Sequence, residues 1–200
     1  MIQTRIVGIA LVSISMLSIL LFLLKKNEPF FNLREVVSKQ FSLFQKSTIH
    51  YIVFYLIPLV FAVGLSMIYI VDDEFLSELS TILSILISMQ FAVLSILSTF
   101  NTSTIINVKQ KGKAQKVIIE TVNAVIFDCL LCLFMLLHNL CMIVISERTV
   151  NWIPIDVSIM KTIVSAITYY IFSVILLNLL LIVKQLSRLV MFNFEVKRKE

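Results

Sequence analysis

Residues 162–183 read T-I-V-S-A-I-T-Y-Y-I-F-S-V-I-L-L-N-L-L-L-I-V, and this run decides the fold class. It holds 14 Ile, Leu, Val or Phe residues and no Asp, Glu, Lys or Arg. A helix needs about 20 apolar residues to cross the hydrocarbon core of a bilayer. At roughly 0.3–0.6 kcal/mol for each such residue, insertion is favoured by about 4–8 kcal/mol before polar residues are subtracted. An open sheet would leave backbone groups unpaired in lipid, so the run must be helical.

Four further stretches, 6–24, 49–71, 79–100 and 117–146, are also long and apolar, though 117–146 contains Glu120 and Asp128. Of the 200 residues, 59% are hydrophobic and 14% charged, and the mean hydropathy is +0.99. A soluble domain is nearer half apolar and about a quarter charged. Gly and Pro, three of each, are too scarce for Gly-rich phosphate loops or a turn-rich β chain. The sequence therefore predicts an all-α, polytopic transmembrane helix bundle forming a single membrane domain over residues 1–200. Stretch 6–24 lacks a small-x-small cleavage site and is followed by Lys25 and Lys26. It reads as a retained anchor rather than a signal peptide, giving five spans, with four as the alternative.

Charge sets the orientation. Residues 25–48, 101–116 and 184–200 carry 14 of the 17 Lys and Arg residues, while residues 72–78 carry Asp72, Asp73, Glu74 and Glu78 and no basic residue. Positive charge stays on the cytoplasmic side. The N-terminus is thus expected outside and the tail, 184–200, inside a bacterial inner membrane, with 72–78 as an acidic outer loop. Tyr51 and Tyr55 are expected at the inner headgroup level, Tyr69 and Trp152 at the outer one. Between the first two spans, Phe30, Leu33, Val37, Phe41 and Phe44 recur at helical spacing among Arg34, Glu35, Lys39 and Lys46. This predicts a short amphipathic interfacial helix over 29–47, either a connector or a partner-docking element.

The third span carries a stripe of small residues, Ser77, Thr81, Ser84, Ser88, Ala92, Ser95 and Thr99, at steps of three and four. In lipid, small residues let helix backbones approach closely. The stripe is expected first as a seam against other helices of the same chain. A homo-oligomer interface and a pore lining are the alternatives. Gln90 points away from the stripe at mid-membrane and calls for a partner.

The fourth span holds the costly groups. An ionised Asp at mid-span costs about 2.5–3.5 kcal/mol on the insertion scale. At about 100° per residue, Glu120, Asn123, Asp128, His138 and Asn139 share less than half of the helix circumference, which must face inward. Asp128 and His138 stand about 15 Å apart along the axis. They either mark a proton or ion path or make internal contacts, for instance with Thr168, Tyr169 or Asn178 of the last span. Cys129 and Cys132 face away from His138 and Cys141, so no single metal ion collects all four from a straight helix. The cysteines read as small buried apolar residues. Pro58, in the second span, permits a kink.

The 107–116 segment, with Lys109, Lys111, Lys113 and Lys116, and the tail, with Lys197, Arg198 and Lys199, suit anionic headgroups or a cytosolic partner. There is no Ser-His-Asp constellation suggested by spacing, no H-E-x-x-H and no P-loop. An enzyme is not expected, nor a cofactor, a metal site or direct contact with nucleic acid.

F-Y-L-I-P at 54–58, the run I-L-S-I-L-I-S-M-Q-F-A-V-L-S-I-L at 82–97 after an acidic segment, and the basic loop before two further spans together resemble the KwaA-type membrane subunits of Kiwa anti-phage defence systems. The likeness covers roughly residues 29–190. It implies a tetrameric inner-membrane sensor that works with a cytosolic nucleic-acid-binding protein, and it transfers no catalytic residue. The expected function is a non-enzymatic membrane sensor or scaffold, homo-oligomeric and docked to a cytosolic protein. A small channel or holin-like pore is the rival, and a small proton-coupled exporter the third reading.

Overall fold

The computed structural model describes residues 33–44, 52–99, 108–146 and 157–197. The expected span 6–24 lies outside them, as do Tyr51, Trp152, Arg198 and Lys199. Every described element is helical, and three helices are long and apolar enough to cross a membrane. The chain is an all-α membrane protein. It divides into two compact units, Met1–Ser42 and Leu43–Glu200. Most of helix α1, Leu33–Phe44, belongs to the first. Its Val37 and Phe41 are exposed and its Gln40 is buried.

Within the second unit, a π-helical turn, Ile52–Leu56, leads into α2, Ile57–Ile68. Pro58 explains the junction. It sits in the first turn of α2, where its missing N–H is no loss, and its ring would crowd the carbonyl four residues back in a continuous α-helix. The wider π turn relieves that conflict. Pro58, Ala62 and Ser66 form the buried face of α2. These small side chains at i, i+4 spacing let it approach its neighbour closely.

Next come α3, Asp73–Thr99, α4, Val108–Ser146, and α5, Val157–Lys197. Helix α2 packs on α5, α5 on α4, and α4 on α3. The buried positions on α3 are Leu76, Leu79, Leu83, Leu86, Gln90 and Leu97. On α4 they include Ala114, Thr121, Val125, Asp128, Cys132, Met135 and Asn139, and on α5 Thr168, Ile175, Asn178, Ile182, Gln185 and Leu189. Each set follows steps of three, four or seven, the 3.5-residue repeat that keeps one stripe facing a neighbour in left-handed helix packing. Leu79, Leu83, Leu86, Cys132, Met135 and Ile175 form the main core cluster, with a second around Ala124, Val125 and Ile182.

The helices overrun the expected spans. The expected stretches 117–146 and 162–183 become α4 and α5 of 39 and 41 residues, about 58 and 61 Å long. The hydrocarbon core is about 30 Å thick. Lys109, Lys111, Lys113 and Lys116 are therefore helical rather than in a loop, and most of the expected tail, through Lys197, continues α5. Hydropathy marks where lipid covers a helix. Backbone hydrogen bonding continues through Lys, Gln and Ala, which are good helix formers.

The acidic outer loop is likewise corrected. Asp73 and Glu74 form the first turn of α3, where negative charge complements the helix dipole. Asp72 caps the helix. Its Oδ1 accepts the Phe75 N–H at 2.9 Å, and its Oδ2 accepts the Tyr69 hydroxyl at 2.9 Å. These two bonds hold the Asp72 carboxyl below its ordinary pKa. A carboxyl whose pKa is depressed by folding stabilises the fold above its unfolded pKa, and that contribution is lost as pH falls through the folded value. Thermal melts of the detergent-solubilised protein should therefore show a lower midpoint on acidification below about pH 4. Asp72→Ala should lower the midpoint at neutral pH and flatten this acid dependence. An unchanged acid profile in the variant would remove Asp72 as its source.

Candidate functional site

The seams of α3, α4 and α5 bring three polar side chains to one level near mid-membrane. Gln90, Asp128 and Asn178 are 1%, 0% and 2% exposed. Gln90 Nε2 donates to Asp128 Oδ2 at 2.5 Å, and the Asn178 side chain engages the same carboxyl from α5. Each of the three packed helices thus contributes one polar group to the layer. An apolar residue at any one of these positions would leave the others short of partners in a region without water.

A second polar level lies toward the α2–α3 connection. His138 Nε2 stands 3.3 Å from Thr168 Oγ1. The Thr168 hydroxyl already donates to Val164 O at 3.0 Å, so its oxygen accepts here and His138 Nε2 carries the hydrogen. Asn139 Nδ2 donates to Ser80 Oγ at 3.2 Å and lies 3.5 Å from Leu76 O. Ser165 Oγ accepts the Val71 N–H at 3.0 Å while donating to Lys161 O at 2.8 Å. Phe75 and Tyr169 meet edge to face at 5.7 Å. The short connection between α2 and α3 is thereby fastened to α5.

Along the helix axes, a mainly apolar layer separates the two levels. Leu83, Cys132, Met135 and Ile175, all 0% exposed, fill the space between them. The structure brings Asp128 together with Gln90 and Asn178, and His138 with Thr168. It keeps Asp128 and His138 apart. The expected polar arc of α4 is also divided: Asp128 and Asn139 are buried, while Glu120, Asn123 and His138 are only half-buried. Among the described residues, no three His, Cys, Asp or Glu side chains converge as metal ligands. Cys129, Cys132 and Cys141 are free thiols.

The small-residue stripe overturns the first expectation for it. Ser77, Thr81, Ser84, Ser88, Ala92, Ser95 and Thr99 are all exposed, on the side of α3 opposite its buried seam. No described helix uses them as an intramolecular seam. The intramolecular close packing is made instead by Pro58, Ala62 and Ser66 of α2. The stripe hydroxyls bond back to their own helix: Thr81 to Ser77 O, Ser84 to Ser80 O, Ser88 to Ser84 O and Thr99 to Ile96 O, at 2.8–3.2 Å. These four donors are satisfied locally, so the face is polar in composition while most of its hydroxyl hydrogens are already used.

Sequence reasoning did not single out Ser80 or Ser165, because a serine looks the same on either side of a helix. Nor did it single out Lys184 and Arg188. At the basic end, Lys113 and Lys116 are exposed, and Lys109, Lys111 and Lys197 are placed only as helical residues.

The mid-membrane layer has a direct test. Gln90→Leu leaves Asp128 without its α3 donor, and a buried polar group left short of a partner costs about 1–3 kcal/mol. Asp128→Leu alone strands Gln90 and is also expected to destabilise. The double variant should be more stable than the two losses added together predict. Thermal midpoints in detergent measure all four proteins, and simple additivity would show that the two side chains do not interact. No family model matches the chain, and neither the curated proteins nor the solved structures yield a match to it.

Proposed function

We propose that this chain is a non-enzymatic sensor or scaffold subunit of a bacterial inner membrane. It self-associates within the bilayer and docks a cytosolic protein on its cytoplasmic side. The observation that carries this reading is the outward face of α3. Seven small residues, all exposed, run the length of that helix. Small residues on a lipid-facing helix allow a second helix to approach closely, and no hydrophobic drive is needed. The apolar layer between Asp128 and His138 supports the same reading, because it interrupts the polar route that a proton-coupled exporter needs through one subunit. Positive charge at the start of α4 and the end of α5 supports a cytoplasmic C-terminus. The resemblance to Kiwa-type membrane subunits extends the proposal to a tetramer acting in anti-phage defence beside a nucleic-acid-binding partner, with no nucleic acid contacted by this chain.

A small channel or holin-like pore is the second reading. The outward serines favour it, because in an oligomer such a face can line a shared axis. It predicts dye entry and growth arrest on overexpression.

Ser88→Leu and Ala92→Leu separate the subunit interface from the fold. Both positions are exposed, so neither change should move the thermal midpoint of the monomer. Each should lower cross-linked multimer in native membranes several-fold, because a branched side chain holds the helices apart. Unchanged cross-linking in both variants would remove the α3 face as the interface. Dye entry that persists in both would remove the oligomeric pore.

A further inference from the structure

We propose that the end of the bundle where α4 begins and α5 ends binds anionic phospholipid headgroups, with Lys184 and Arg188 of α5 and Lys113 and Lys116 of α4 as the cations. This surface does not depend on the sensor reading or on the α3 interface.

The helix register brings the four cations together. Asp128 meets Asn178, and Ala124 and Val125 pack on Ile182. The two helices are antiparallel, so this register sets Arg188 level with Ile118 and Lys184 level with Val122. Lys113, Lys116, Arg188 and Lys184 then fall within about 14 Å of one another along the bundle axis. All four are exposed. Among the described residues none of them is ion-paired. Glu120, half-buried, is the one carboxylate among the described side chains at this end of the pair.

The apolar neighbours of these cations identify the partner. On α5, Leu180 and Val183 precede Lys184 and are 65% and 56% exposed, while Val190 and Met191 follow Arg188 at 52% and 64%. On α4, Ile119 is 61% exposed one turn from Lys116. Large apolar side chains are thus bare on both sides of the basic turns. A surface meant for water or for a polar cytosolic protein would not alternate in this way. A surface at the boundary between acyl chains and headgroups would, with the stems of Lys and Arg lying on apolar surface and their charges reaching the headgroup level. The anion found at that level is the lipid phosphate.

Ala114, Gln185 and Leu189, within the basic turns, are buried at 0%, 7% and 2% exposure. The cations are held on helices rather than on a loop, and less ordering is needed on binding.

The test uses the full chain in neutral detergent, given equal amounts of phosphatidylglycerol and phosphatidylcholine, with retained lipid counted by native mass spectrometry. The wild type should retain phosphatidylglycerol preferentially. The Lys184→Gln/Arg188→Gln and Lys113→Gln/Lys116→Gln pairs should each reduce that preference roughly tenfold. Thermal midpoints should rise with phosphatidylglycerol and not with phosphatidylcholine or inorganic phosphate. Should a double variant fail to fold, the wild type alone decides: its selectivity must fall as salt is raised. Equal retention of the two lipids, salt-insensitive selectivity, or an equal effect of inorganic phosphate would each overturn the proposal. So would retention by folded double variants at the wild-type level. Cross-linking through α3 is expected to persist in the charge variants, so failure here is distinguishable from failure of the self-association reading.

Discussion

The structure depends on the hydrogen bond between Gln90 and Asp128. A carboxyl group with no exposed surface lies near the middle of a membrane protein, where water cannot serve it. Its partners come from helices on both sides of α4, Gln90 from α3 and Asn178 from α5. The layer forms only in one register. Sliding any of these helices by one residue would turn its polar group by about 100° toward lipid and leave the others short of partners. Apolar packing alone specifies register weakly in lipid, because tails and leucines are equally apolar. The polar layer supplies that specification, and the leucine-rich clusters above and below it complete the fit.

With register fixed at mid-membrane, the ends of the bundle follow. At one end, Asp72 caps α3 and receives the Tyr69 hydroxyl, while Ser165 takes the Val71 N–H. Four residues of connection are thereby tied to both the helix they enter and the helix they cross. At the other end, Ala114 of α4 and Leu189 of α5 are still buried, outside the apolar stretches 117–146 and 162–183. Charges that a hydropathy profile assigns to a loop and a tail are carried on helices. This matters for any partner, lipid or protein, because a helical array presents its cations at fixed spacing.

The same arrangement separates internal from external polarity. Internal polar groups bridge different helices: Gln90 with Asp128, Asn139 with Ser80, His138 with Thr168. External hydroxyls on α3 bond within their own helix. A helix can face lipid or another subunit with serines only when their hydrogens are already used. The first kind of polarity holds the subunit together, and the second leaves a face free for association.

The sequence by itself determined the class of the molecule. Uncharged apolar runs of more than about 20 residues permit helices across lipid and nothing else, and the separation of basic from acidic segments follows from the same runs. It also marked Gln90, Asp128, His138, Asn139 and Asn178 as groups in need of partners, because burial of a polar side chain in lipid is costly wherever it points. Only the tertiary structure decided the pairings. Helical periodicity shows which residues share a face but not which face meets which helix. The α3 stripe was thus read first as an inner seam, although its face points outward, and the close packing that small residues permit was made by α2 instead. Helix ends were equally beyond hydropathy. Asp72 and the lysines of residues 109–116 lie in or next to helices because capping and backbone hydrogen bonds, not lipid, set where a helix begins.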